Sequence, residues 1–215
     1  MVRVLILPNT RERCHVARNK QKKEEIMETL KVKIIGESPL LMHNKTGIDV
    51  FNPLVKQFKT LSKTKNKTEA DLLELRRMEW IMGLYTKNNK IILPGEIIEA
   101  TMKEAAKKFK LGKEVTKAVQ CLDDAEVDYP EKKLSLAKLY ENPDYVFVAS
   151  AVVDRKRIVR VRPILPTWSI IVNIMYDKTR LDRGRVVDIL REAGSYVGFC
   201  DWRPRFGRFR VEELN

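Results

Sequence analysis

A chain of 215 residues with 44% hydrophobic composition can bury one sizeable core, and it is too short for two independent domains. Its 42 Lys and Arg outweigh 29 Asp and Glu, and the resulting net charge of +13 points to a polyanionic partner. The three scattered cysteines, Cys14, Cys121 and Cys200, argue against a disulfide framework. No apolar run reaches the roughly 18 residues of a membrane span, so the expectation is a cytoplasmic protein with no membrane partner.

Residues 1–26 carry Arg3, Arg11, Arg13, Arg18, Lys20, Lys22 and Lys23 with little apolar periodicity, and are read as a flexible basic arm before a single domain over 27–215. Leu30, Val32 and Ile34 alternate with Lys31 and Lys33, the period of a half-buried strand that ends at Gly36. Glu37 to Asn44, interrupted by Pro39, is an apolar loop packed on the core. An insertion is expected over about 45–88. Its first part, where Lys56, Lys59, Lys63, Lys65 and Lys67 are scattered among Thr, Ser and Asn, reads as flexible. Thr68 and Asp71 then mark a capped helix start, with Leu72, Leu75, Met78, Met82 and Tyr85 at helical spacing.

Lys90 to Leu93 is a short strand. Pro94 and Gly95 open a helix whose buried stripe is Ile98, Met102, Ala105 and Phe109 and whose stop is Gly112. Tyr145 to Val153 and Arg157 to Leu165 read as strands flanking the turn Asp154-Arg155-Lys156, and Ser169 to Tyr176 as a third. Helix returns after Asp182 and stops at Gly194, and a last short strand covers Phe209 to Val211. This order predicts an α+β fold: a ferredoxin-like (RRM-like) antiparallel sheet with helices on one face and a helical insertion after the first strand.

Along the strand Arg157 to Leu165, Val159 and Val161 alternate with Arg160 and Arg162, which puts two guanidinium groups in line on one sheet face. Arg155, Lys156 and Arg157 add a cationic hairpin tip. In-line arginines suit successive phosphates, whereas the alternative is a solvated face whose charges block edge pairing. The C-terminal run interleaves Arg203, Arg205, Arg208 and Arg210 with Trp202, Phe206 and Phe209. Aromatic faces stack on unpaired bases and guanidinium groups grip phosphate, so the mixture suits a single strand. The other reading of that run has its aromatics in the core and its arginines paired with Asp201, Glu212 and Glu213. The expected nucleic-acid contacts are therefore Arg155, Lys156, Arg157, Arg160, Arg162, Trp202, Arg203, Arg205, Phe206 and Arg208.

The sequence offers no convincing catalytic constellation, and no metal or cofactor is expected. His15 lies in the arm. His43 is a candidate general base for a metal-independent ribonuclease, but no neighbour in sequence fixes that role. Asp123, Asp124, Glu126 and Asp128 read as a solvated acidic loop, and no Cys and His spacing suits zinc.

Ile34 to Asn44, Ile91 to Ala100 and Gly198 to Phe209 together resemble the RAMP superfamily, in the style of the backbone subunits of CRISPR effector complexes and of a set of bacteriophage proteins. Glu79, Trp80, Gly83 and Tyr85 within Arg77 to Tyr85, and Arg160-Val161-Arg162-Pro163, strengthen the phage comparison. The resemblance implies an RRM-like core whose strands and inserted hairpin hold single-stranded DNA or RNA, with protomers stacking along it as a homo-oligomer. A stand-alone protein of a virus or mobile element, active in replication or recombination, favours DNA. The chain departs from the catalytic RAMP pattern in lacking an extended Gly-rich C-terminal loop, with only Gly194, Gly198 and Gly207 there, which argues against nuclease activity. An inhibitor of a nucleic-acid machine is the remaining alternative.

Overall fold

The computed structural model describes residues 26–153 and 156–214, the side chains of residues 151–157 excepted. Apart from Ile26, the expected N-terminal arm lies outside the described residues. So do the side chains of Arg155, Lys156 and Arg157. The chain runs through β1 (Met27–Gly36), β2 (Leu40–Leu41), helices α1 (Pro53–Lys63) and α2 (Glu69–Gly83), and strands β3 (Thr86–Lys87) and β4 (Lys90–Leu93). Helices α3 (Gly95–Ala105) and α4 (Gly112–Ala118), strands β5 (Val119–Gln120) and β6 (Ala125–Asp128), and helix α5 (Leu136–Glu141) follow. Strands β7 (Val146–Val153), β8 (Lys156–Leu165) and β9 (Ser169–Asp177), helix α6 (Arg183–Glu192) and strand β10 (Phe209–Glu213) complete it.

The larger sheet has the order β10-β1-β9-β6-β4-β3, with β5 also paired to β9. Strand β1 is antiparallel to β10 on one side and to β9 on the other. The first and last strands thus sit side by side with the third next to the first, and β5 and β6 take the second place beyond it, as in a ferredoxin-like fold. Leu30, Val32 and Ile34 of β1 and Ile170, Val172, Ile174 and Tyr176 of β9 face the core in strict alternation. Helices α3 and α6 cover that face with Ile98, Met102 and Ala105 and with Val186, Val187, Ile189 and Leu190. Among the described residues, no helix is long and apolar enough to cross a membrane.

The segment expected to be flexible contains α1. Asn52 caps it by accepting from the Leu54 N–H, and Pro53 holds its first turn. Leu54, Val55 and Phe58 pack against Met78 and Met82 of α2, a helical spacing hidden among the lysines. In α2 the Thr68 and Asp71 side chains form the expected capping box. Its first turns overhang the core, which leaves Leu72 50% exposed where a buried stripe was expected. Trp80 is buried instead, and its indole N–H donates to the Tyr145 carbonyl.

Two expected helix stops are displaced. Lys110, left-handed at φ 60°, ends the turn after α3, while Gly112 starts α4. Gly194 sits inside a wide turn that continues α6, because a side chain there would strike the Phe209 carbonyl. Left-handed Gly198, φ 78°, makes the actual exit. The acidic loop is mostly strand β6, with Asp124 paired to Lys87 and Glu126 to Lys90. Strands β7 and β8 belong to a second sheet, β2-β8-β7, rather than to the main one.

Candidate nucleic-acid interface

The Gly198–Arg208 loop between the α6 exit and β10 is shaped by four left-handed residues, Gly198, Cys200, Trp202 and Gly207. The Phe199 N–H donates to the Gly207 carbonyl and closes the loop on itself. A Cβ at Gly207 would lie 2.1 Å from the Phe199 carbonyl oxygen, so this closure requires glycine. The loop is then stitched to the segment after β1: Asp201 N–H to the Leu41 carbonyl, Gly207 N–H to the Pro39 carbonyl, and Arg208 N–H to the Ser38 hydroxyl. A free sticky end would lack these bonds.

Phe199 stacks on Phe209 with ring centres 4.3 Å apart, and both are core residues. Phe206 is also buried, at 8% exposure, against the Phe147 ring of β7. Its expected role as a ligand contact is therefore corrected: it anchors the loop. Trp202 packs against both Phe147 and Phe206 but keeps 53% of its surface open. Arg203, Arg205 and Arg208 are exposed and find no carboxylate partner among the described residues, whereas Arg210 pairs with Glu212. The loop thus turns one aromatic face and three unpaired guanidinium groups outward, the chemistry that holds a base and its flanking phosphates.

Arg160 and Arg162 lie on one face of β8 as the alternation requires, but they are not free for phosphate. The Arg160 guanidinium donates to Glu79 at 3.0 Å, and Arg162 is ion-paired with Asp201. Glu79 also accepts the Val161 N–H at the edge of β8, just beyond β2, so one carboxylate seals the strand edge and holds the arginine. The expected row of two free cations is thus an internal brace between α2, β8 and the arginine loop. Glu79 had entered only through a family resemblance, because its partners are about eighty residues away in sequence.

Beside this brace lies a cleft of about 410 Å³ lined by His43, Lys59, Glu79, Met82, Arg160 and Arg162. Burial, then the positive charges of Arg162 and Arg160, lower the His43 pKa, with Glu79 opposing. A second, open groove of about 530 Å³ runs past Glu104, Tyr196, Trp202 and Arg203. Tyr196, 65% exposed with the Lys108 ammonium over its ring, gives this groove a second aromatic wall that the sequence reading missed. Burial pushes the Cys200 and Cys121 thiols up to about 12, which leaves neither as a nucleophile near neutral pH.

The open face of the main sheet has a different character. Its outward positions, including Lys31, Lys33, Glu126, Ile171, Asn173, Arg210 and Glu212, carry no aromatic ring. Two of its cations are already matched, Lys90 by Glu126 and Arg210 by Glu212.

No family model and no curated protein matches the sequence. A chain in the cryo-EM structure of the Type III-B Cmr-beta bound to cognate target RNA superposes with a TM-score of 0.53 at 14% identity, covering 97% of this chain and 68% of that one. The two share a fold. The mixed α+β architecture expected from the sequence is that of a subunit in a complex bound to RNA, and at this identity the likeness extends to the fold alone.

Proposed function

We propose that this protein binds single-stranded nucleic acid, DNA or RNA, through the Trp202–Arg208 loop, without reading sequence. The observation that carries the proposal is the sorting of that loop: Phe199 and Phe206 fasten it to the core, while Trp202, Arg203, Arg205 and Arg208 face solvent. Stacking on an exposed indole contributes about 1–3 kcal/mol per base and does not depend on which base it is. The excess of cations supplies salt-dependent attraction to phosphate. Assembly of copies along the strand is part of the proposal, in keeping with the Cmr-beta chain's place in a larger complex. Fluorescence anisotropy with a labelled oligonucleotide at about 50 mM salt tests it. Single strand is expected to bind better than duplex, with no loss on chelation; a preference for duplex overturns the reading.

A second reading attaches to the 410 Å³ cleft. His43, with its pKa lowered, is neutral at pH 7 and able to accept a 2′-hydroxyl proton, and Arg160 and Arg162 line the same cleft. Metal-independent cleavage of an RNA hairpin, abolished by His43→Ala, is the expected behaviour of such a ribonuclease. RNA left intact after long incubation with the wild-type protein rejects this reading and leaves the binding proposal standing.

A further inference from the structure

On the helical side of the molecule, α3 and α4 meet around a groove of about 690 Å³ whose lining includes Lys103, Lys107, Lys110, Lys113 and Lys117 and no carboxylate. Lys107 is paired at the rim with Glu104, and Lys117 lies 4.0 Å from Glu114. Lys103, Lys110 and Lys113 find no partner among the described residues. Backbone geometry fixes one of them, since left-handed Lys110 forms the corner between the two helices, with its N–H on the Lys107 carbonyl.

Helix electrostatics do not account for this collection. Cations near the last turn of α3 are favourable, but Lys113 stands in the first turn of α4, where the helix dipole disfavours positive charge. With Lys107 and Lys117 matched, the three remaining ammonium groups of Lys103, Lys110 and Lys113 still repel each other until an anion lies among them. The groove adjoins the one at the arginine loop through the Lys107–Glu104 pair, although the two share no lining residue. Glu104, next to Lys103 and paired with Lys107, lines the neighbouring groove with Arg203 and Trp202. The open sheet offers no such continuation, having no aromatic and two of its cations, Lys90 and Arg210, already neutralised.

We infer that the strand held at Trp202–Arg208 continues over the helical face into the lysine groove, with its phosphates against Lys103, Lys110 and Lys113, and does not cross the open sheet. This path rests on the loop reading above. The occupant is a nucleic-acid backbone because the groove gathers several ammonium groups with no carboxylate in its lining, which fits a repeating anion.

Three proteins separate the path from the loop: the wild type, Lys103→Gln/Lys110→Gln/Lys113→Gln, and Lys31→Gln/Lys33→Gln on the open sheet. All substituted lysines are on the surface, so each variant is expected to fold, which circular dichroism checks. Single strands of about 6 and about 20 nucleotides are titrated against each across a salt series. The groove variant is expected to bind the short strand as the wild type does. On the long one, the slope of log affinity against log salt is expected to shrink by roughly 2, about 0.7 for each of three lost phosphate contacts. The open-sheet variant is expected to match the wild type on both lengths. An unchanged slope in the groove variant, or a reduced slope in the open-sheet variant, overturns the path while the loop reading survives. Failure of the wild type to bind either strand removes both.

Discussion

At the scale of single residues, exposure decides what each side chain of the arginine loop does. Trp80 and Trp168 are 0% and 1% exposed, so Trp202 is the indole that ligand can reach. Adding single strand is expected to quench intrinsic tryptophan fluorescence, and Trp202→Phe is expected to remove most of the quench; an undiminished quench places the ligand elsewhere. Trp202→Ala should weaken binding by about 1–3 kcal/mol, read by anisotropy. The interleaved arginines and aromatics were legible in the sequence, but the division of labour was not. Phe206 and Trp202 have the same local pattern and both meet Phe147, far away in sequence, yet the fold buries the first and leaves the second 53% exposed. Likewise the period of two put Arg160 and Arg162 on one face, yet their partners Glu79 and Asp201 arrive from distant elements. Because His43 has a lowered pKa in the fold, the unfolded chain takes up its proton first, below the ordinary value of 6.5. Its contribution to stability is complete above that value and diminishes as pH falls below it. Urea midpoints of wild type and His43→Gln at about pH 8 and about pH 5 should therefore shift in favour of the variant at the lower pH, and equal shifts at both contradict this assignment.

At the scale of elements, the long strands were legible because their alternation is local and strict, whereas short strands such as β2 and β6, helix ends and the insertion were less so. Helix α1 was hidden by its lysines, although Leu54, Val55 and Phe58 sit at helical spacing beneath them. Gly112 and Gly194 look like stops in sequence, but Gly112 starts α4, Gly194 lacks a side chain for a packing reason, and the left-handed residues are Lys110 and Gly198. The capping box of α2 was plain, and Thr68→Ala is expected to lower stability by about 1 kcal/mol in urea unfolding. Gly194→Ala drives a methyl group onto the Phe209 carbonyl at the junction of α6 and β10. A loss of about 1–3 kcal/mol is expected, and an unchanged urea midpoint rejects that packing account.

At the scale of the whole molecule, the ferredoxin-like sheet serves as a frame. Its covered face carries α3 and α6, its first and last strands bring Pro39, Leu41 and the arginine loop together, and the second sheet braces that loop through Arg162 and Phe147. The order of elements made the frame legible, whereas the grooves were not, since each joins residues from elements distant in the chain. The central claim is that the loop's unpaired arginines hold a nucleic-acid strand. Its most direct test is the salt dependence of single-strand binding by the wild type and by Arg203→Gln/Arg205→Gln/Arg208→Gln. The account predicts weaker binding by the variant at low salt and a slope of log affinity against log salt smaller by roughly 2. Equal affinity and equal slope in the two proteins would contradict it.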